Sequence, residues 1–301
     1  MKDYLLDYAI YLGYRVFEFM INSFPKRLTK HILYFISLMI YYLGKKHYRI
    51  SKINLDLAFG NSKTDLEKNK IIKHSLLNMV YNIYEFVILQ NQSFNEMEKK
   101  VELINEEYII KLLEENKRII IVTGHYGCWE FTLPFFALKY NPLTIISRKL
   151  NNKYLNNIFL KARDKQNLQM CEKSGAMMCV VKAMKQNRVV AFTIDQSINQ
   201  KQSVKVKFFG HDASQVDSPI RLASKFDAVI LPLFTITDGF ENHKIIFKKP
   251  IIVKSNMSEK EIQMMSQSIS NILEAQVKQK PSGWFWQHRR WKLYYSKMYK
   301  K

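Results

Sequence analysis

The chain of 301 residues has only three cysteines, Cys128, Cys171 and Cys179, and none of them forms a C-x-x-C pair. An odd number at wide spacing argues against a zinc site and a disulfide framework, and in favour of a reducing compartment. Acids are scarce as well: 26 Asp and Glu stand against 47 Lys and Arg, a net charge of +21. Such a surplus says nothing about fold, but it favours a polyanionic partner, whether nucleic acid, an anionic membrane or an acidic protein. No apolar run reaches the ~18–20 uncharged residues of a spanning helix. No cleavable leader is expected either, because Asp3 and Asp7 stand where a charged-then-apolar stretch would be. Neither G-x-G-x-x-G, a P-loop, G-x-S-x-G nor H-E-x-x-H occurs, which removes the commonest nucleotide, serine hydrolase and zinc peptidase readings. Internal repeats and low-complexity linkers are missing too.

What the sequence does have is centred on residues 118–130. Ile119, Ile120, Ile121 and Val122 form a β-branched run, followed by Gly124, His125, Tyr126, Gly127, Cys128, Trp129 and Glu130. The pattern predicts a strand buried on both faces, a glycine-punctuated turn and the acidic start of a helix. Strands of that kind end at the carboxyl edge of an open α/β sheet, where ligands bind. A turn followed by one helical turn brings Glu130 back toward the imidazole, whereas five positions along one helix would separate them. A carboxylate on one ring nitrogen fixes the tautomer and leaves the other nitrogen free to take a proton. His125 and Glu130 are therefore read as general base and orienter, acting on a hydroxyl that the substrate brings. Composition alone gives about 0.6 such His-x4-acid pairs by chance, so the strand preceding this one is what lends it weight. Cys128 raises the rival of a thiol nucleophile, against the plainer role of a small apolar residue packing a turn.

Residues 1–44 are rich in Tyr, Phe, Leu and Ile, with Pro25 between two apolar runs and cations at Lys26, Arg27, Lys30, Lys45, Lys46 and Arg49. This suits interfacial or re-entrant helices on an anionic leaflet, against the alternative of two core helices. Residues 1–48 are accordingly read as a membrane-associating segment and 49–301 as the catalytic domain. Thr64 followed by Glu67 signals a capping box before a helix carrying Ile71, Leu76, Leu77, Val80 and Ile83. Strands at 118–122, 143–147 and 189–194 alternate with helices, the last helix before 189 being placed at 174–186. The strands end at His125, Arg148 and Asp195, which argues for a largely parallel central sheet flanked by helices, with its site along one edge. Residues 200–217 read as a polar loop with an apolar tip. The closing stretch from Pro281 to Lys292, with its Tyr and Lys tail, suits a membrane interface.

Four motifs in order then carry a resemblance. They are His125 to Glu130; Asp195-Gln196; Phe208-Phe209-Gly210; and Trp286-Gln287-His288-Arg289-Arg290-Trp291-Lys292. Residues 54–59 and Glu85 add to them. Together they resemble the late, lauroyl/myristoyl-type acyltransferases of bacterial lipid A biosynthesis, within the His-x4-acid glycerolipid acyltransferase superfamily. One departure is Phe59-Gly60, where that family usually has Phe-Pro. The resemblance implies a glycerolipid acyltransferase-like α/β fold and an enzyme on the cytoplasmic face of the bacterial inner membrane. It would move a fatty acyl chain from an acyl carrier protein thioester, its co-substrate, to a hydroxyl of a lipid A precursor. Neither metal nor further cofactor is implied. By position His125 is the base and Glu130 its partner, while Arg148, Asp195, Gln196, Phe208, Phe209, Arg289 and Arg290 are expected at the substrate. Arg148 would steady an oxyanion or a lipid phosphate, or else pair with Asp195. The carrier protein, the phosphorylated lipid and the anionic leaflet would share the positive surplus. A lysophospholipid or other glycolipid acceptor is the alternative within the superfamily. A nucleic-acid partner fits poorly, since the cations are dispersed and the aromatics gather at the N-terminus.

Overall fold

The computed structural model describes residues 2–172 and 175–300. Helices α1 (Lys2–Ser23) and α2 (Lys26–Leu43) are separated by Pro25, which cannot continue a helical hydrogen-bond ladder. After Gly44 come α3 (Lys45–Phe59) and α4 (Asp65–Ile88). Helix α4 starts with the expected capping box: Glu67 N donates to Thr64 Oγ1 at 3.3 Å and Thr64 N donates to Glu67 Oε2 at 2.7 Å. Ile21 and Leu33, from α1 and α2, pack with Val80, Tyr81, Tyr84 and Val87 of α4. The other faces of α1 and α2 leave Tyr4, Leu6, Phe19, Phe35 and Leu43 exposed. No helix among the described residues is long and apolar enough to cross a membrane.

The remaining elements alternate: α5 (Phe94–Glu98), β1 (Val101–Ile104), α6 (Glu107–Glu114), β2 (Arg118–Thr123), α7 (Trp129–Lys139), β3 (Leu143–Ser147), α8 (Lys153–Lys165), β4 (Leu168–Glu172), α9 (Ala176–Lys185) and β5 (Val189–Thr193). Then follow β6 (Val204–Phe208), β7 (His211–Gln215), α10 (Ser218–Phe226), β8 (Ala228–Thr237), β9 (His243–Phe247), β10 (Ile251–Ile252) and α11 (Glu259–Gln279). The main sheet runs β1-β9-β8-β2-β5-β3-β4, with β10 added on β8. Strand β2 pairs in parallel with both β5 and β8, and β3 in parallel with β5 and β4; β8 meets β9 and β10 antiparallel. The sheet is thus mostly parallel, with helices on both faces.

Alternation along each central strand builds the two layers, because successive side chains point to opposite faces. Ile119 and Ile121 of β2, with Val189 and Ala191 of β5, join Phe131, Phe135 and Phe136 of α7. Ile120, Val122, Val190 and Phe192 face the other way, toward Ile72 and Leu76 of α4 and Ile269 and Leu273 of α11. A strand buried on both sides has no polar face, which is why its sequence reads as one unbroken apolar run.

Three expectations are corrected. Residues 204–215 form a hairpin, not a loop: Val204, Val206 and Phe208 alternate with Lys205 and Lys207, and Phe209 and Gly210 both take positive φ (50° and 76°) in the turn. That is the backbone a two-residue hairpin turn demands. Second, Cys171 and Cys179 are joined by a disulfide, with Cα atoms 5.7 Å apart; the end of β4 and the start of α9 converge across a short connection that spacing alone did not reveal. Third, the aromatic stretch at the C-terminus is not laid out for an interface, because Trp284, Trp286 and Trp291 are wholly buried. The helix expected from Ser174 begins outside the described residues and runs as α9 within them.

Candidate active site

Because β2, β5 and β3 are parallel neighbours, the residues just past their carboxyl ends share one edge of the sheet: His125, Asp195 and Arg148. The turn after β2 is tightly fitted. Gly127 takes φ +61°, and a Cβ there would run into the Thr235 carbonyl oxygen. Its N–H donates to Gly283 O at 2.8 Å, and Phe285 N donates to His125 O at 3.0 Å. The C-terminal segment therefore forms one wall of the turn.

The carboxylate on the imidazole is Asp195. Its Oδ1 lies 2.8 Å from His125 Nδ1, while its Oδ2 accepts from His125 N at 2.7 Å and from Trp284 Nε1 at 2.9 Å. Asp195 is fully buried, so each oxygen must find a donor within the protein, and both do. An ionised Asp195 makes Nδ1 the protonated nitrogen of a neutral ring and leaves Nε2 basic. Nε2 sits 3.3 Å from the Gln196 amide nitrogen. Burial opposes a charge on the ring, but the Asp195 carboxylate, by charge and hydrogen bond, outweighs it, and Glu130 adds at longer range; the His125 pKa is raised above its ordinary value. Burial would likewise raise Asp195, yet the charge and hydrogen bond of His125, with His288 behind it, hold this carboxyl well below the usual range.

Glu130 does not take the position expected of it. Its carboxylate pairs with Arg163 of α8, and its backbone N–H donates to Asn82 Oδ1 at 3.1 Å. The cause is geometric: the turn points His125 toward β5, while α7 carries Glu130 toward α4 and α8. Sequence reading missed Arg163, Asn82 and Trp284. Arg163 is 3% exposed, stacks on Phe159 and Phe86, and leaves Nε and Nη1 without a hydrogen-bond partner among the described residues. Asn82 ties both ends of the short stretch 127–130 together, since its Nδ2 also donates to Gly127 O at 2.7 Å. The position of Asn82 on the buried face of α4 was readable; its partners, 45 and 48 residues away in sequence, were not.

Beside this site lies a groove of about 370 Å³ lined by Tyr14, Met79, Ile83, Phe86, Leu155 and Phe159, with Asn82, Trp129 and Glu130 at its polar end. Volumes of this order are typical of small-molecule sites. Trp129 connects groove and imidazole, its ring 5.2 Å from the imidazole centroid and edge-on to it. Cys128 is completely buried, and burial with the charge of Glu85 nearby holds its thiol well above its ordinary pKa. A thiol kept protonated out of reach is no nucleophile.

The other expected residues divide. Gln196 faces the imidazole. Arg148 is exposed at the end of β3 and is not the partner of Asp195, whose oxygens are filled by His125 and Trp284. Phe208 and Phe209 are buried, Phe208 against Trp284 and Trp291, so they build the support of the site and do not line it. Arg290 is also fully buried: it donates to Ser214 O at 2.5 Å and to Gln196 O at 3.4 Å and lies over the Phe208 ring, and burial pulls its pKa down to about 10. It braces the loop carrying Gln196. Arg289, its neighbour, is only partly buried.

A mostly parallel sheet with a carboxylate-backed imidazole and an apolar groove at its carboxyl edge has the layout of a group-transfer enzyme for lipids. The sequence pattern of the family described as "Bacterial lipid A biosynthesis acyltransferase" matches residues 2–293, and the chain belongs to that family. Among solved structures it is similar to the 1-acyl-sn-glycerophosphate (LPA) acyltransferase, PlsC, from Thermotoga maritima, at 14% identity and a TM-score of 0.40, over 85% of this chain and 97% of that one. Curated protein sequences give no match. The chain is an acyltransferase of lipid biosynthesis.

Proposed function

We propose that this enzyme transfers a fatty acyl chain from an acyl carrier protein thioester to a hydroxyl of a lipid A precursor. The observation that carries the reading is the imidazole, with Nδ1 on buried Asp195 and Nε2 facing the Gln196 amide, next to Trp129, which lines the apolar groove. His125 Nε2 takes the proton of the acceptor hydroxyl as its oxygen attacks the thioester carbonyl. The new C–O bond forms, the C–S bond breaks, and the imidazolium returns its proton to the departing thiolate. Asp195 stabilises that imidazolium and preserves the tautomer. Glu130, held by Arg163, contributes charge and fixes the start of α7, and the groove receives the acyl chain.

The enzyme works at the cytoplasmic face of the bacterial inner membrane. Exposed apolar side chains on α1 and α2, together with the +21 net charge, support this placement, since both favour an anionic leaflet. The same charge suits an acidic carrier protein. In vitro transfer to a lipid A precursor from a panel of acyl carrier protein donors, with mass spectrometry of lipids from a strain lacking the gene, is the test. Loss of one secondary acyl chain is expected. Unchanged lipid A with altered phospholipids would move the acceptor to a lysophospholipid and overturn the assignment.

A further inference from the structure

Four cations gather in one place outside the turn that carries His125. Where α2 gives way to α3, a cavity of about 300 Å³ is lined by Lys45, Lys46, Arg49, Ile53, Arg289 and Tyr299. Four of these are cations drawn from both ends of the sequence, and no acid lines the cavity among the described residues. Lys45, Lys46 and Arg289 have no acidic partner among the described residues, although lysines and arginines elsewhere are widely paired, as Lys68 is with Asp56 and Arg221 with Glu259. Like charges gathered round a concavity repel one another unless an anion lies among them. The wall is fixed, not floating: Tyr299 is buried, and its hydroxyl lies 2.5 Å from Asn54 Oδ1, while Asn54 Nδ2 donates to Trp286 O and His288 O at 2.7 and 2.6 Å.

Two further observations fix what kind of anion fits. The cavity follows the exposed apolar end of α2, where Met39, Tyr42 and Leu43 face outward, so its ligand arrives from an apolar surface. It is also continuous with the catalytic segment. Phe285 N is bonded to His125 O, and Arg289 lies four residues further on, at most about 14 Å of chain. Guanidinium and ammonium groups together suit phosphate oxygens, the first through paired N–H bonds and the second as a point charge. A small, half-open cavity of about 300 Å³ takes a tetrahedral anion better than it takes the helical face of an acidic protein.

We infer that this cavity is the subsite for a phosphate group on the headgroup of the acceptor lipid, with Arg289 as its main ligand and Lys45 and Lys46 completing it. The inference rests on the acceptor being a phosphorylated lipid, as in the reaction proposed above. A phosphate held here anchors the headgroup at one end while its hydroxyl reaches His125.

Binding without turnover tests the subsite separately from the reaction. The full chain is sedimented with phosphatidylcholine vesicles containing the phosphorylated lipid A precursor, its phosphatase-treated form, or phosphatidylglycerol at matched charge. Wild-type protein is expected to prefer the phosphorylated acceptor to the other two by about tenfold, the scale of one charge-assisted contact. Arg289→Gln should bring that preference close to one, and Lys45→Gln with Lys46→Gln, both at exposed positions, should reduce it several-fold. Equal binding to phosphatidylglycerol would identify general leaflet attraction and overturn the subsite. So would equal losses by the variants on every vesicle, or a rise confined to the KM for the acyl carrier protein, which would make the cavity a donor dock. Preference for the phosphorylated acceptor without acyl transfer to it would keep the subsite and remove the proposed reaction.

Discussion

The two ends of the chain are alike in composition and opposite in fate. Both are rich in aromatics and cations. In α1 and α2, however, Phe19, Phe35 and Leu43 stand 63% to 73% exposed, whereas Trp284, Trp286 and Trp291 are 0% exposed. Partners within the chain make the difference. Each C-terminal indole N–H meets an oxygen within the fold: Trp284 on Asp195 Oδ2 at 2.9 Å, Trp286 on Pro281 O at 2.7 Å and Trp291 on Phe208 O at 3.2 Å. A tryptophan can be buried whole only when its one polar atom is satisfied. The N-terminal helices pack on α4 and, through α1, on α8, where Asn152 Nδ2 donates to Asp7 O at 2.7 Å, while Phe19, Phe35 and Leu43 stay uncovered among the described residues. One end thus braces the imidazole and its carboxylate, while the other lends Tyr14 to the groove and leaves an apolar face exposed.

This contrast can be broken most severely at the buried end. Asp195→Asn should lower turnover on the order of 10⁴-fold, the scale of losing the tautomer-fixing carboxylate in a histidine-base enzyme, with an unchanged circular dichroism spectrum; a loss below tenfold would remove Asp195 from the mechanism. Trp286→Ala should cost about 3–5 kcal/mol of stability, read from urea denaturation, through the cavity left in the core. Trp284→Phe keeps the ring and removes the N–H from Asp195, and about 1.5–3 kcal/mol is expected for a hydrogen bond to a charged group.

Protonation sharpens the same contrast. The raised pKa of His125 stabilises the fold fully below about pH 6.5, and that contribution is lost as pH rises through the folded value. Asp195 works in the opposite direction, stabilising above about pH 3.9 and failing as pH falls through its depressed value. With His125 as the proposed base, the neutral ring is the active form, so kcat/KM should decline on acidification through a pKa above the ordinary 6.5. In Asp195→Asn, burial goes largely unopposed, and NMR titration should find the imidazole pKa lower than in wild type. At the exposed end the effect on stability is smallest: Phe35→Ser with Leu43→Ser should shift it by no more than about 0.5 kcal/mol per site, while binding to anionic vesicles falls.

Sequence reading reached as far as local patterns reach. The strands, their alternation with helices and the edge holding His125, Arg148 and Asp195 were legible because burial on both faces imposes long apolar runs and turn chemistry marks their ends. The capping box of α4 was legible for the same local reason. What could not be read was which acid meets the imidazole. Glu130 is close in sequence and Asp195 is 70 residues away. Only the parallel pairing of β2 and β5 makes the distant one the neighbour. The fate of Trp284 was hidden in the same way, since composition cannot tell an indole at a lipid surface from one bonded to a buried carboxylate.

The turn that carries His125 leans on residues made much later than itself. His125 and Asp195 leave the ribosome before Gly283, Trp284 and Phe285, which supply the carbonyl and N–H groups that lock the turn and the carboxylate. A nascent chain can therefore carry its imidazole and carboxylate without their alignment, and the site is completed only once residues 283–285 have been made.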